Sequence, residues 1–240
     1  MLEAVLFDWG DTLMRWAFDA ELLAAGHVAG LAAIGRPADP ELTARFRDAY
    51  LPKFFEPGVI EEVEYPAEIR RLLAEFGIEP GDDELLRFLE AEHAAWAPAR
   101  QLASTTHALL ESLRDRGLKL GLVSNAIDPP DLLHRDLADL GVAERLDVAV
   151  FSSEVGRRKP DAAIFERALD ALGVAPERAL FVGDRLEADV GGAAALGMAT
   201  CQALWFVADE DEEPEPDFRA FTQVDVLTAV KRLGVAVSPA

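Results

Sequence analysis

Apolar residues follow two rhythms along this chain. Beyond Thr105, short continuous apolar runs alternate with stretches in which apolar side chains recur every three to four residues. Residues 106–116 place Leu109, Leu110 and Leu113 at helical spacing and meet Gly117, a suitable helix stop. Residues 118–124 are an apolar run of strand length. The pairing then repeats. Helices are predicted over 130–140, 161–172, 189–196 and 226–233, and strands over 147–152, 179–182 and 199–206. On the helix over 161–172, Ile164, Phe165, Ala168, Leu169 and Leu172 share one face, and Gly173 ends it. With the apolar run 4–7 as a first strand, this alternation predicts an α/β fold, a doubly wound parallel sheet with helices on both faces. The apolar strand runs agree, since such strands are buried on both sides.

Residues 16–103 have a different texture. Amphipathic helical spacing dominates and no convincing strand is visible. Residues 20–34 are rich in Ala and Leu. Leu42, Phe46 and Tyr50 share a face behind Asp39, a candidate N-cap. Pro66 opens a helix carrying Ile69, Leu72, Leu73 and Phe76 up to Gly77, and Leu85, Leu89 and Trp96 share another face. The expected organisation is a discontinuous Rossmann-like core, residues 1–15 and 104–240, with an all-helical cap domain of residues 16–103 inserted after the first strand. Ligands of open α/β sheets bind beyond the C-terminal strand ends, so a cap inserted there is placed to act as a lid.

Composition narrows the picture. Half of the 240 residues are hydrophobic, which suits a globular chain with a sizeable core. The formal net charge of −21 repels polyanions, so no nucleic-acid partner is expected. An anionic small substrate would need a local cation. The single cysteine, Cys201, excludes an intrachain disulfide and suits a reducing compartment. The first residues lack a basic secretory signal. The uncharged stretch 190–208 carries Gly191, Gly192 and Gly197 and reads as helix, stop and strand rather than a membrane span. A cytoplasmic protein without membrane attachment is expected. Residues 208–217, ADEDEEPEPD, read as a solvated loop.

Four short polar groups interrupt this apolar frame in order. They are Asp8-Trp9-Gly10-Asp11-Thr12 after the first strand, Ser124-Asn125 after the second, Lys159-Pro160 near a helix start, and Gly183 to Asp189 after the fourth strand. Singly, each has a plain structural explanation. A carboxylate after a strand is often an N-cap, a lysine is often solvated, and a serine often satisfies a turn. Together, at the same edge of one sheet, they form a set that folding alone does not require.

In these motifs the chain resembles the haloacid dehalogenase superfamily of hydrolases. The resemblance rests on FDWGDTL, LVSNA, GRRKPDAAIF and FVGDRLEADVGGAAALGM, and the helical insert is similar to that superfamily's type-one cap. It implies a Mg²⁺-dependent hydrolase of a small phosphorylated metabolite. Asp8 would be the nucleophile that forms an aspartyl-phosphate. Asp8, Asp184 and the Gly10 carbonyl would bind the metal, and Asp189 would sit beside it or orient Lys159. Lys159 and Mg²⁺ would neutralise the charge of an anion attacking an anion. Ser124 and Asn125 would hydrogen-bond the transferred phosphoryl group, and Thr12 would help hold the loop.

One position departs from the family's pattern. Phosphatases of this superfamily usually carry a second Asp two residues after the nucleophile, where this chain has Gly10. Asp11 follows one place later, where a glycine is usual. Either Asp11 reaches inward as the acid/base, or it tightens the turn. The one-residue displacement favours the turn. Rivals remain. Phosphonoacetaldehyde hydrolases have a small residue in that place and use a cap lysine as an imine former, and Lys53 is the lysine of this cap. Haloacid dehalogenases work without metal, but they lack the carboxylates that Asp184 and Asp189 supply. A non-catalytic binding protein on a decayed hydrolase fold is the alternative of another class. Trp16, Phe54, Trp96 and Arg100 are candidates for setting specificity; oligomeric state is left open.

Overall fold

The structure, a computed structural model, describes residues 1–55, 59–207 and 213–235, with backbone only for 49–55. Its strands are β1 (Ala4–Phe7), β2 (Met14–Trp16), β3 (Arg100–Leu102), β4 (Lys119–Ser124), β5 (Val148–Phe151), β6 (Ala179–Gly183), β7 (Ala199–Ala203) and β8 (Phe218–Ala220). Among the described residues, six of these form one parallel sheet in the order β5-β4-β1-β6-β7-β8. Val5 and Phe7 of β1 point into one core with Leu120, Leu122, Leu180 and Val182. Ala4 and Leu6 point into the other with Val123 and Phe181. Helices α5 (Thr106–Arg114), α6 (Pro130–Asp139) and α10 (Gln223–Leu233) cover the first face, and α8 (Ala162–Leu172) covers the second. This is the expected Rossmann-like α/β core, with both faces of each central strand sealed from water.

Chain direction fixes where a site can form. From β1 the sheet grows to one side through β4 and β5, and to the other through β6, β7 and β8. The order therefore reverses at β1, and the crevice at such a switch opens at the C-terminal strand ends, where Asp8 follows Phe7.

The helical insert is built from α1 (Ala20–Ala33), α2 (Pro40–Phe55), α3 (Tyr65–Glu75) and α4 (Asp82–Ala95). It has its own core, in which Leu23, Leu31, Phe46, Leu73, Phe88 and Trp96 meet. Asp39 caps α2, its Oδ1 accepting from Glu41 N at 2.9 Å and Leu42 N at 3.1 Å. The insert also touches the main sheet's loops. Glu61 bridges Arg157 in antiparallel pairing, and Arg158 N donates to Ile60 O at 2.7 Å.

Several sequence expectations need correction. Residues 16–103 are not free of strand: β2 and β3 pair antiparallel at the foot of the insert, Met14 opposite Leu102 and Trp16 opposite Arg100. Strands of three residues carry too little periodicity to be seen, and β8 escaped for the same reason. The strand expected over 199–206 stops at Ala203. Ser152 opens a short helix, α7 (Ser152–Val155), rather than closing β5. The helix expected over 189–196 is a π-type turn over Leu186–Gly191 followed by α9 (Gly192–Ala195). Half of the acidic tract, residues 208–212, lies outside the described residues. Cys201 is a buried free thiol. Among the described residues no helix is long and apolar enough to cross a membrane.

Candidate active site

Three loops at the C-terminal edge of the sheet deliver the polar groups. Asp8 leaves β1 with its N–H donating to Val182 O at 2.9 Å, so its side chain starts from a fixed point. The chain then turns tightly, with the N–H groups of Leu13 and Met14 both donating to Trp9 O at 3.1 Å. Lys159 arrives from the β5 side, buried to 5% exposure. Its Nζ donates to Asp8 Oδ1 at 2.6 Å and to Val123 O at 2.9 Å, and lies 2.6 Å from Asp189 Oδ1. Asn125 holds the lysine's backbone: its Oδ1 accepts from Lys159 N at 2.7 Å, and its Nδ2 donates to Lys159 O at 3.2 Å. A buried ammonium needs such company.

The third loop follows β6. The π-type turn swings Asp189 inward, with both Asp189 N and Val190 N donating to Arg185 O. Asp189 Oδ2 accepts from Arg185 N at 3.0 Å. Gly183 permits this approach. A Cβ there would lie 2.4 Å from the Asp189 carboxylate, far inside contact distance.

Asp8, Asp184 and Asp189 bring carboxylate oxygens within 4.8 Å of one another. Electrostatics registers the crowding. Burial, then Asp189 and Asp8, push the Asp184 carboxyl up to about 8. Burial likewise raises Asp189. For Lys159, burial alone would lower the ammonium's pKa, but Asp189 and Asp8 outweigh it and the net direction is upward. One ammonium among three carboxylates leaves negative charge uncompensated. Hard oxygen donors this close together fit a hard divalent cation.

Asp11 stands apart from this cluster. Its backbone is left-handed, at φ 55°, and its Oδ1 accepts from Trp16 N at 3.0 Å, tying the turn after β1 to β2. Burial raises its pKa, against that backbone hydrogen bond.

A cavity of about 350 Å³ joins these groups to the insert. Asp8, Gly10, Asp11, Ser124, Asn125, Lys159, Asp184 and Asp189 all line it. Thr12 does not. It is fully buried behind the loop, with its carbonyl accepting from Trp205 Nε1 at 2.9 Å. Among the specificity candidates, Trp16 and Arg100 line the cavity. Trp96 does not belong at the mouth, since it is 1% exposed and fills the insert's core beside Gly26. The side chains of Phe54 and Lys53 lie outside the described residues.

Among the lining residues that sequence reading missed are five with ionisable side chains, His93, Asp128, Asp136, Arg158 and Arg185. Arg158 and Arg185 stand next to motif residues, a signal that was available. The other three sit on separate elements and meet only in space. His93 Nδ1 is 2.8 Å from Asp128 Oδ1, and its Nε2 is 3.0 Å from Asp136 Oδ2. Arg100 Nε is also 3.0 Å from Asp136 Oδ2, while its Nη2 donates to His93 O at 3.0 Å. Burial would lower the His93 pKa, but the two aspartates reverse that and hold it at about 9.

The chain is similar to known proteins. A family model described as haloacid dehalogenase-like hydrolase matches residues 2–197. The chain is 33% identical over 220 residues to a phosphoserine phosphatase of Thermus thermophilus, covering 90% of this chain and 76% of that protein. It is 29% identical over 241 residues to a glyceraldehyde 3-phosphate phosphatase of Methanopyrus kandleri, covering 97% and 99%. The crystal structure of a phosphatase of the same superfamily from Thermococcus onnurineus superposes with a TM-score of 0.66 at 25% identity, over 95% of this chain and 97% of that one.

Proposed function

Because the chain belongs to the haloacid dehalogenase-like hydrolases, we propose that it hydrolyses a small phosphate monoester through an aspartyl-phosphate on Asp8. The observation that carries this reading is Lys159 Nζ, held 2.6 Å from both Asp8 and Asp189 beside Asp184 at the sheet's switch point. Three carboxylates crowded around a buried lysine support a catalytic role over a purely binding one, given what such burial costs.

Lys159 engages Asp8 Oδ1, so Oδ2 is the oxygen left to attack phosphorus. The P–O ester bond breaks as the new one forms, and the departing alkoxide takes a proton from Asp11 and leaves as the alcohol. Water then cleaves the acyl phosphate and returns Asp8. Asp11 is the acid/base of this chain: it lines the cavity, and burial favours its protonated form. Lys159 holds positive charge against the phosphoryl oxygens, and Ser124 and Asn125 flank them. Asp8, Asp184, Asp189 and the Gly10 carbonyl would hold Mg²⁺, which when bound neutralises the anionic substrate and polarises its phosphorus.

Asp8→Asn tests the nucleophile. Phosphate release from a monoester panel with Mg²⁺ should fall at least about a thousandfold while circular dichroism stays unchanged. Substantial residual release would remove Asp8 from the role. In a second experiment, Asp184→Asn should raise the Mg²⁺ concentration for half-maximal rate, and an unchanged titration would reject the metal assignment.

A further inference from the structure

The cavity's chemistry changes from one end to the other. At the phosphoryl end it is charged, with Asp8, Lys159 and Asp184. Toward the insert it becomes apolar, where Met14, Trp16, Phe18, Ile127 and Leu133 line it. Trp16 and Phe18 stack with ring centroids 5.3 Å apart and planes 18° from parallel. Phe18 is braced from behind by Trp96, edge-on at 5.5 Å. Trp16 and Phe18 are half-buried, so each keeps ring surface free.

Cations are present on the same walls, and those beside the insert are already committed. His93 lies between Asp128 and Asp136, and Arg100 is ion-paired with Asp136. Arg158 lies 3.7 Å from the buried Glu62. Arg185 is exposed at the metal end, where its charge acts on Asp11 and Asp184. A second carboxylate or phosphate entering beside the insert would meet Asp128 and Asp136 and would have to displace them from His93 and Arg100. An uncharged, flat group would displace only water from the rings.

Resting on the phosphate-ester reading, we propose that the alcohol carried by the substrate is uncharged and bears a flat apolar group that lies against Trp16 and Phe18. The paired charges around it turn away esters with a second anionic group. Specificity then comes from an apolar shelf plus neutralised walls, not from a cationic anchor.

The test uses the full chain with Mg²⁺ and three primary-alkyl phosphates with similar leaving groups: propyl, 3-phenylpropyl and 2-carboxyethyl phosphate. The kcat/KM for 3-phenylpropyl phosphate should exceed that for propyl phosphate by about tenfold or more, mostly through KM. The value for 2-carboxyethyl phosphate should fall below that for propyl phosphate. Phe18→Ala should shrink the phenyl advantage, with a thermal melt reporting whether the fold holds. Asp136→Asn, which frees Arg100, should raise the carboxyethyl-to-propyl ratio. A 2-carboxyethyl preference, or no gain from the phenyl group in the wild-type chain, overturns the proposal and leaves phosphatase activity standing. Hydrolysis of none of the three overturns the phosphate-ester reading itself, and the proposal falls with it.

Discussion

Asp11 occupies left-handed backbone at φ 55°, a region that Asp and Asn tolerate and most side chains do not. That conformation bears directly on the displaced carboxylate. Turning one residue later than usual would normally send a side chain elsewhere, yet the left-handed turn and the bond from Trp16 N keep Asp11 on the cavity wall. The turn role and the acid/base role are therefore compatible in one side chain. Asp11→Ala should cost about a hundredfold or more on alkyl phosphates, whose alkoxide needs a proton. It should cost little on aryl phosphates with good leaving groups, and an equal loss on both would reject the acid role. Gly10 supplies the complementary experiment. A Cβ there meets nothing closer than Trp16 Cβ at 4.0 Å, so the position has room for a side chain. Gly10→Asp should restore part of the alkyl phosphate rate lost in Asp11→Ala. Absence of any rescue would mean that the two positions do not reach the same leaving oxygen.

At the scale of elements, α1 shows what pattern reading can and cannot see. Its buried stripe is Leu23, Gly26, His27, Gly30 and Leu31, which has helical spacing but only two large apolar side chains. The glycines are there because α4 and its C-cap come very close: a Cβ on Gly26 would lie 2.0 Å from Trp96 Nε1, and one on Gly30 would lie 2.8 Å from the Phe88 ring. Gly26→Ala should accordingly destabilise the chain by about 1–3 kcal/mol through overpacking, despite alanine's better helix propensity. A urea melt measures it, and a stabilised variant would show that the helices simply move apart. The central strands were legible for the opposite reason. β1, β4 and β6 are buried on both faces over nearly all their length, so their sequences are mostly apolar. β2 and β3 were not, because each is three residues long and each owes its pairing to a partner far along the chain. The π-type turn at Leu186–Gly191 was read as ordinary helix, since one extra residue per turn leaves little trace in a six-residue stretch.

For the whole molecule, the site divides along the same line. Asp8, Ser124 and Asp184 were legible because each stands at the end of an apolar run, and sheet topology gathers such ends at one edge. The charge cluster joining insert to core was not, because α4 supplies His93, β3 supplies Arg100, α6 supplies Asp136 and the loop after β4 supplies Asp128. That cluster ties the insert's position to proton binding. Unfolded, His93 titrates near 6.5; folded between Asp128 and Asp136, with Arg100 alongside, it titrates near 9. The folded state thus holds the proton more tightly. Its stabilising contribution is complete below pH 6.5 and fades as pH climbs through 9. A shift of that size caps the effect at about 3 kcal/mol. His93→Gln keeps hydrogen-bonding capacity but cannot carry the charge. Urea midpoints for both chains, measured from below pH 6.5 to above pH 9, separate His93 from every other titrating group, because those groups are common to the two. The wild-type advantage should be largest at the acidic end and shrink on the alkaline side. Parallel profiles would mean that the imidazolium between the two aspartates contributes nothing to holding insert and core together.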